Sequence, residues 1–350
     1  MKSLIQERIV ESGPISFADY MAIALYEPGW GYYAKGQLQV GRGGDFYTSV
    51  SVGSCFGQLL ARYFLEQWRE FGQPERWRLT ELGAHDGKLA GDILNALARL
   101  DPSAYKAMQY AIPEPLDTLR AAQAATLKPH GPKLLSVTHA SELEPLPGII
   151  FGNEVLDALP CQLIEMREGA WQECMVACEN DALVWQLGDI RDPALITATH
   201  ALGTDFTEGY RTEIRTHYES FLKPLTDSLS DGRMIWIDYG FERSEYYHPD
   251  RRQGTLRTFS KHQAGEDVLS HPGELDISAH VDFTAVAEAC QALGGHPRPL
   301  VSQGNWLTQR AKDWLMAQEG NPDPKAMRQF QTLTHPGHLG RMFQVLEVEF

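Results

Sequence analysis

The stretch Arg78-Leu79-Thr80-Glu81-Leu82-Gly83-Ala84-His85-Asp86-Gly87 decides the fold of this chain. An apolar run here ends in an acidic residue and two glycines. A segment of helical periodicity follows, with Leu89, Ile93, Leu97 and Leu100 on one face. A strand, a glycine-bearing turn and a helix in this order are typical of a nucleotide-binding βα unit, because the turn lets a ligand approach the backbone at the positive end of the helix.

The chemistry of this turn differs from that of a dinucleotide-binding site. It reads G-A-H-D-G and lacks the G-x-G-x-x-G pattern of dehydrogenases, and Glu81 stands two residues before Gly83. A carboxylate beside the turn suits a ligand with positive charge better than it suits a pyrophosphate. The arrangement resembles motif I of the class I S-adenosylmethionine (SAM) methyltransferases, whose cofactor carries an ammonium and a sulfonium group. A purely structural βα turn is the alternative.

The composition indicates an acidic globular protein. Of the 350 residues, 43% are hydrophobic and 22% are charged, so the chain can bury a large core in one elaborated domain or in two. With 31 basic and 46 acidic residues, the formal net charge is −15. We therefore expect no nucleic acid as the main partner, since a phosphate-binding face needs surplus Lys and Arg. A cationic substrate is compatible with this charge.

The cysteines and the N-terminus bear on the compartment. Five cysteines at scattered positions favour a reducing environment, and their spacing matches no zinc-binding pattern, so no metal is expected. Residues 1–10 show no signal peptide, and no apolar run approaches the ~20 residues that cross a bilayer. We expect a cytoplasmic protein without a membrane span.

Four later runs predict the rest of a parallel sheet. They lie at 110–114, 133–137, 148–152 and 234–240. The run at 148–152 is continuously apolar, which is typical of a strand buried on both faces, and 234–240 is expected to be another buried strand. The first run ends at Glu114, 27 residues after Gly87, roughly where a βαβ unit places the carboxylate that binds ribose. A loop carboxylate ahead of a helix is the alternative.

The segment after the predicted fourth strand carries the candidate chemistry. It reads Asn153-Glu154-Val155-Leu156-Asp157-Ala158-Leu159-Pro160. Ligands of open α/β sheets lie outside the carboxyl ends of the strands, so this segment is expected to bring two carboxylates and an amide into the cleft. Glu154 and Asp157 are three residues apart, which places them on one side of a helical turn. A solvated helix start rich in acids is the alternative.

The remaining patterns predict how the chain is divided. Residues 1–72 form an N-terminal helical region with two glycine- and aromatic-rich loops. Residues 73–160 and 230–350 form the cofactor-binding core with lid segments. Between them, residues 161–229 form an insert: a β-meander, a polar connection at 188–205 and a helix at 208–229. The lid carries a polar cluster that favours hydrogen bonding over metal binding, formed by His262, Glu266, Asp267, Asp276 and His280.

Several segments together resemble the MidA-like SAM-dependent methyltransferases, whose mitochondrial member methylates an arginine of a respiratory complex I subunit. They run in the family's order over residues 15–345, and the segment Asn153–Pro160 is the most specific of them. The other segments are Leu25-Tyr26-Glu27-Pro28, Gly31-Tyr32-Tyr33, Gly44-Asp45-Phe46-Tyr47-Thr48-Ser49, Phe56-Gly57, Glu81-Leu82-Gly83, Asp238-Tyr239-Gly240, Gly254-Thr255-Leu256-Arg257, Asp276, His280-Val281-Asp282-Phe283 and Gln303-Gly304.

The resemblance implies a class I methyltransferase fold, a Rossmann-like, doubly wound α/β sheet with an N-terminal helical region, a β-meander insert and a C-terminal lid region. It implies SAM as the cofactor, with the methionine part at the glycine turn and the ribose at Glu114. The implied cofactor-binding residues are Glu81, Gly83, Gly87, Glu114 and Asn153. The implied catalytic residues are Glu154 and Asp157, supported by Asp45 of the N-terminal loop.

Two positions depart from the family pattern. His85 stands where motif I usually has a glycine, and Val50-Ser51 stand where Pro-Glu commonly follows Thr48-Ser49.

The leading hypothesis is a SAM-dependent methyltransferase that acts on a protein side chain such as arginine, with a respiratory-complex subunit as its expected partner. The departures keep a non-catalytic SAM-binding assembly factor open as the alternative, and the oligomeric state stays open, with a homodimer among the choices.

Overall fold

The computed structural model describes residues 1–35, 48–260, 263–265 and 267–350. Several residues singled out from the sequence lie outside these ranges. They are the catalytic candidate Asp45 with the rest of the segment 44–47, and two members of the polar lid cluster, His262 and Glu266.

The described ranges form an alternating series of strands and helices. The strands are β1 (Ile15–Ser16), β2 (Trp77–Leu82), β3 (Met108–Pro113), β4 (Leu134–Val137), β5 (Leu146–Asn153), β6 (Gln162–Arg167), β7 (Ala170–Glu179), β8 (Ala182–Gly188), β9 (Arg211–Ile214), β10 (Leu229–Phe241), β11 (Arg257–Ser260), β12 (Gln263–Gly265), β13 (Asp276–Ser278), β14 (Val281–Asp282), β15 (His296–Pro297), β16 (Val301–Ser302) and β17 (Phe343–Glu349). The helices are α1 (Lys2–Ser12), α2 (Phe17–Tyr26), α3 (Ser49–Val52), α4 (Cys55–Glu70), α5 (Lys88–Leu100), α6 (Pro102–Ala107), α7 (Asp117–Thr126), α8 (Pro193–Leu202), α9 (Tyr218–Thr226), α10 (Arg243–Tyr246), α11 (Phe283–Ala292), α12 (Gln303–Arg310), α13 (Lys312–Met316), α14 (Pro324–Thr334) and α15 (Leu339–Met342). None of these helices combines the length and the apolar character that a membrane span needs.

The central sheet has the strand order β15-β17-β10-β5-β2-β3-β4, with β14 beside β10 and β16 beside β17. Strands β10, β5, β2, β3 and β4 are mutually parallel, and β17 runs antiparallel to β10. The predicted α/β sheet is therefore confirmed. Because the carboxyl ends of β2, β3, β5 and β10 meet at one edge, the residues that follow these strands are brought together there.

Helices cover both faces of this sheet, which explains its continuous apolar strands. Along β5, Ile149 and Phe151 pack into one cluster with α4 and α5, whereas Ile150 packs into another with α9 and α11. Strand β10 alternates in the same way, with Ile235 on the first side and Trp236 on the second. Side chains of successive strand residues point to opposite faces, so both faces of these strands are buried.

A second sheet joins the insert to the N-terminal region. Its strands are ordered β1-β7-β6-β9, with β8 paired to β7, which confirms the predicted β-meander. Helix α2 packs on it, and Phe17 and Leu25 share an apolar cluster with Leu163 and Val176 of the meander. The N-terminal helices and the insert are thus held together by one core. A third, small sheet has the order β12-β11-β13.

Three expectations about secondary structure are wrong. The helix predicted over 208–229 is a strand, β9, followed by the shorter helix α9, because Arg211–Ile214 pairs with β6 in the meander. The connection predicted at 188–205 contains α8, which Asp192 caps through the backbone N–H of Ala194. The sequence also predicts one helix over 304–318, which the structure divides near Ala311 into α12 and α13.

Candidate active site

A cavity of about 800 Å³ opens at the carboxyl ends of β2, β3, β5 and β10. Within the described ranges its wall carries six carboxyl side chains but only two permanent cations, Lys88 and Arg257. The acids are Glu81, Asp86, Glu114, Glu154, Asp157 and Asp276. Most of the residues predicted for the site lie on this wall, namely Glu81, Gly83, Glu114, Asn153, Glu154 and Asp157.

The turn after β2 follows the glycine pattern of the sequence. Gly83, His85 and Gly87 have φ values of 65°, 48° and 81°, all in the region that favours glycine. A Cβ on Gly83 would lie 2.7 Å from Cγ2 of Val155, so this glycine is required for the close packing of two cavity segments. Gly87 starts α5 and packs toward Leu127, behind the turn, so it shapes the turn without reaching the cavity wall.

Glu81 ends β2 as a buried carboxyl on the cavity wall. The hydroxyl of Tyr110 donates a hydrogen bond of 2.5 Å to its Oε2 atom. Burial raises the pKa of Glu81 to about 8, although the bond from Tyr110 opposes the rise. A cation that binds beside Glu81 would favour the ionised carboxylate and so lower this pKa.

Glu114 follows β3 and presents its carboxyl next to the glycine turn. Its Oε1 accepts the backbone N–H of Leu116 at 2.9 Å, and its Oε2 lies 3.4 Å from Nε2 of Gln123. Arg120 fixes the backbone of Glu114 by donating to its carbonyl oxygen at 2.7 Å. Burial raises the pKa of Glu114. Since a carboxylate has about four acceptor sites, Glu114 retains capacity to accept hydrogen bonds from a ligand.

The segment after β5 is held by a carboxylate from the neighbouring strand. Oδ2 of Asp238, near the end of β10, accepts the backbone N–H groups of Val155, Leu156 and Asp157 at 3.0, 2.8 and 3.2 Å. This arrangement fixes a turn in which Glu154 has a left-handed φ of 56°. A left-handed backbone at a residue other than glycine is a strained conformation, and three bonds to one carboxylate maintain it.

Glu154 and Asp157 face the cavity from this turn, as the sequence predicts. Nδ2 of Asn153 donates to Oε1 of Glu154 at 2.9 Å. Burial, together with the charges of Asp157 and Asp238, raises the pKa of Glu154 well above its ordinary value. Burial also raises the pKa of Asp157, and the charge of Arg215 opposes that rise. Both carboxyls are therefore poised to ionise when a cation binds between them.

Arg215, a residue of the insert, joins two segments of the site. Its buried guanidinium donates to the carbonyl oxygens of Asp157, Leu159, Ala279 and His280 at 2.7, 2.9, 3.0 and 2.8 Å. One side chain thereby connects the turn after β5 to the segment between β13 and β14. An Arg fork can satisfy four carbonyls at once because it carries five N–H donors in a fixed plane.

Glu213, which lies in β9 just before Arg215, fixes a further segment of the site. Its buried carboxylate accepts the backbone N–H groups of Thr255 and Leu256 at 2.9 and 2.8 Å, and also the hydroxyl of Thr255 at 3.0 Å. A Cβ on Gly254 would lie 2.3 Å from Oε1 of Glu213, so only glycine fits there. The loop held in this way places Arg257 on the cavity wall.

Aromatic side chains complete the wall around Glu154 and Asp157. The rings of Tyr26 and Tyr33 stack at 5.5 Å, and the Tyr33 hydroxyl donates to Oδ1 of Asp276 at 2.7 Å. The rings of Tyr239 and His280 are nearly parallel at 6.3 Å. Burial and three nearby arginines lower the pKa of His280 to about 4, so its ring is neutral at physiological pH. Flat rings beside carboxylates suit a planar cation.

Several buried polar atoms around the cavity have no hydrogen-bond partner and could bond to a ligand. Within the described ranges, five buried atoms at the cavity or directly behind it accept or donate no hydrogen bond. They are Nε2 of His85, Oε1 of Gln123, Oδ1 of Asn153, Oδ1 of Asp157 and Nδ1 of His280. Buried polar groups are normally paired. A ligand with amino, carboxyl and ribose groups would supply partners, so these residues fit SAM.

The sequence patterns predict the residues that line the cavity better than the residues that hold the cavity segments in place. Glu81, Glu114 and Glu154 each end or follow a strand, which the apolar runs locate. Arg215 and Gln123 carry no such signal, because they bond to backbone carbonyl groups that are distant in the sequence. A charged residue next to a short β-pattern, as in Arg211–Arg215, is the signal that could have indicated Arg215.

Comparison with known proteins identifies the family. A family model described as an S-adenosyl-L-methionine-dependent methyltransferase matches residues 59–299. A crystal structure of a Burkholderia thailandensis protein bound to S-adenosyl-homocysteine (SAH) is 32% identical and superimposes with a TM-score of 0.88, over 100% of this chain and 91% of that chain.

Curated relatives agree on the enzyme class and correct one expectation. The mitochondrial protein arginine methyltransferase NDUFAF7 homolog of Drosophila melanogaster is 26% identical over 98% of this chain and 83% of its own length. The mitochondrial protein arginine methyltransferase NDUFAF7 of Mus musculus is 28% identical over 96% of this chain and 81% of its own length. Because these relatives are named mitochondrial, the prediction of a cytoplasmic protein is contradicted.

The family match, the parallel sheet and the SAH-bound relative agree with the resemblance inferred from the sequence. A NAD-dependent oxidoreductase, which the missing G-x-G-x-x-G pattern already disfavours, is not supported. The cofactor is SAM, and this chain belongs to the family of S-adenosyl-L-methionine-dependent methyltransferases.

Proposed function

We propose that this methyltransferase transfers the methyl group of SAM to the guanidinium of an arginine in a protein. The observation that carries the proposal is the acidic wall formed by Glu154, Asp157 and Asp276 beside the stacked Tyr26 and Tyr33. Carboxylates pair with a guanidinium, and aromatic faces accept a flat cation. The relatives named protein arginine methyltransferases support the same acceptor.

The charge of the wall matches the electrostatic problem of this reaction. The sulfonium of SAM and a guanidinium are both cations, and two unit charges 4 Å apart repel by about 4 kcal/mol at an effective dielectric constant near 20. Six carboxyls and two permanent cations line the described part of the cavity. The wall therefore offsets the repulsion between cofactor and acceptor, a function that a neutral acceptor would not require.

Four residues are proposed to contact the cofactor, and a fifth, Gly87, to shape the turn that receives it. Glu81 pairs with the ammonium of its methionine part, and Glu114 accepts hydrogen bonds from its ribose hydroxyls. Asn153 contacts the methionine part through the unpartnered Oδ1 atom. Gly83 allows the backbone to approach it, and Gly87 sets the turn at the positive end of α5.

Glu154 and Asp157 are proposed to act on the acceptor. When bound, SAM supplies an electrophilic methyl group on its sulfonium. The two carboxylates accept hydrogen bonds from the guanidinium, which holds the attacking nitrogen in line, and they take up the proton that this nitrogen loses. A guanidinium has a pKa above ~12, so it needs such acceptors to give up a proton. Asp45, which lies outside the described residues, is proposed to support them.

The proposal is tested by identifying the methylated residue. The full chain would be incubated with SAM radiolabelled in the methyl group and a mitochondrial protein extract, and the labelled protein would be hydrolysed to amino acids. We expect the label in methylarginine. Label in methyllysine or methylhistidine would reject arginine as the acceptor. SAH binding without transfer to any protein would favour the alternative, a non-catalytic SAM-binding assembly factor.

A subunit of a respiratory complex is proposed as the acceptor protein, because of the resemblance of the sequence to the MidA-like family. Purified respiratory complexes and purified ribosomes would be compared as substrates at equal protein concentration. Preferential label in a respiratory subunit is expected, and preferential label in a ribosomal protein would reject this partner.

The oligomeric state is a separate question. Light scattering of the purified methyltransferase would decide between a monomer and a homodimer.

Cofactor binding is expected to depend on pH through Glu81. Because the pKa of Glu81 is about 8, its carboxyl is protonated in the ligand-free protein below that pH. Pairing with the ammonium of SAH requires the ionised form, so a proton leaves when SAH binds. We expect the Kd for SAH to rise as the pH falls from 8 to 6, by at most about tenfold per pH unit. Isothermal titration in buffers of different ionisation enthalpy measures the released proton.

Glu81→Gln is the matched variant for this measurement. It should bind SAH more weakly, with a Kd that changes little between pH 6 and 8. A pH dependence that persists unchanged in Glu81→Gln would assign the proton to another group and exclude Glu81 as the ammonium partner.

A further inference from the structure

His85 keeps a side chain at a backbone position that favours glycine. It lies between Gly83 and Gly87 in the turn from β2 to α5, and its φ is 48°. Left-handed φ values bring the Cβ close to backbone atoms, so a residue with a side chain is disfavoured there. His85 therefore keeps its side chain at some cost in backbone strain.

The imidazole of His85 is placed on the cavity wall with one nitrogen unpartnered. Its Nδ1 lies 3.8 Å from Oδ1 of Asp86. Its Nε2 is buried and has no hydrogen-bond partner among the residues that the structure describes. The nearby carboxylate favours the proton on Nδ1, which leaves Nε2 as a hydrogen-bond acceptor in the neutral ring.

Gln123 connects His85 to the residue proposed to bind the ribose. Its Nε2 donates to the carbonyl oxygen of His85 at 3.0 Å and lies 3.4 Å from Oε2 of Glu114. One amide nitrogen thus lies within hydrogen-bonding reach of both residues, so the turn and the carboxylate are close together.

We propose that Nε2 of His85 accepts a hydrogen bond from a ribose hydroxyl of the cofactor, beside Glu114, and that His85 thereby adds a contact to the nucleoside half of SAM. Glu114 accepts the other ribose hydroxyl. Asp86 orients the ring from the opposite side. This role concerns cofactor binding and is independent of which acceptor is methylated.

Binding measurements with two ligands and three variants test the contact. SAH contains the nucleoside and the amino acid, whereas 5′-methylthioadenosine contains the nucleoside without the amino acid. We expect His85→Gly to raise the Kd of both ligands about fivefold to tenfold, the loss of one hydrogen bond. His85→Gln should stay within about threefold of the native Kd, because its amide reaches the position of Nε2.

Gln73→Gly is the matched control. Gln73 is exposed, lies away from the cavity and has a φ of 57°, so the variant makes the same backbone change without touching the site. The Kd values of Gln73→Gly for both ligands should equal those of the native protein. The melting temperature of His85→Gly should not fall below the native value, since glycine relieves the backbone strain.

Two results would overturn the proposal. One is an unchanged Kd for both ligands in His85→Gly. The other is a loss of affinity for SAH that is absent for 5′-methylthioadenosine, because it would place the contact on the amino acid half. The methylarginine product is identified in a separate experiment, so failure here leaves the proposed acceptor untouched.

Discussion

The variant Glu154→Gln is expected to lower kcat by about 10²–10⁴-fold, the usual contribution of a group that takes up a proton in the transition state. Glutamine keeps the shape of the side chain, and its carbonyl oxygen can still accept the 2.9 Å bond from Asn153. It carries no charge to pair with a guanidinium and cannot take up its proton. Steady-state transfer to an arginine-containing acceptor, with SAH binding measured in parallel, would show the loss of kcat with a Kd within about threefold of the native value.

Glu173→Gln is the matched control for this variant. Glu173 is also a buried carboxyl with a raised pKa, but it lies in β7 of the meander. Its replacement should leave kcat unchanged. If Glu154→Gln retained more than about a third of the native kcat, Glu154 would not be the proton acceptor, and Asp157→Asn would then show whether that carboxylate acts alone.

Arg215→Lys is expected to destabilise the protein and to weaken acceptor binding selectively. Lysine has three N–H donors on a single nitrogen and cannot reach the four carbonyl groups that the planar guanidinium of Arg215 satisfies. Unpaired buried carbonyls should lower the free energy of unfolding by about 2–4 kcal/mol. Since Asp157 and His280 lose their backbone support, we expect the KM for the acceptor to rise about tenfold or more, with the Kd for SAH nearly unchanged.

Arg78→Lys separates this local effect from general destabilisation. Arg78 is also a buried arginine bonded to backbone carbonyls, those of Glu144 and Ser228 at 2.7 and 2.6 Å, but it lies near the start of β2, away from the cavity. Assayed well below both melting temperatures, Arg78→Lys should lose stability without a rise in KM. An equal rise in KM for both variants would show that Arg215 acts only through stability.

The parts of the fold that local patterns specify were predictable. The apolar run before Asn153 locates β5, since strands buried on both faces require continuous apolar sequence. Strand β2 is located by the glycine turn that follows Glu81. Arg211–Ile214 is different, because four residues of weak alternation also fit a helix, and only pairing with β6 makes them a strand. Because the strand was not predicted, the role of Arg215, the residue that follows it, was not predicted either.

The candidate site was predictable in its members but not in its support. The sequence indicates Glu154 and Asp157 by their place after a buried strand. The left-handed backbone of Glu154 depends on Asp238, which lies 83 residues from Val155 in the sequence. No local pattern encodes such a bond, so the geometry of the turn appears only when β5 and β10 are paired in the folded sheet.

The turn after β5 owes its backbone shape to the three hydrogen bonds that it donates to Asp238, and not to the side chains of Glu154 and Asp157. Val155, Leu156 and Asp157 are fixed through their main-chain N–H groups, which every residue except proline possesses. Side chains at 154 and 157 can therefore be exchanged while the main chain keeps its path. The turn is therefore suited to redesign. Libraries of variants at positions 154 and 157 would test acceptors other than arginine, because the neighbouring strand holds the backbone in place.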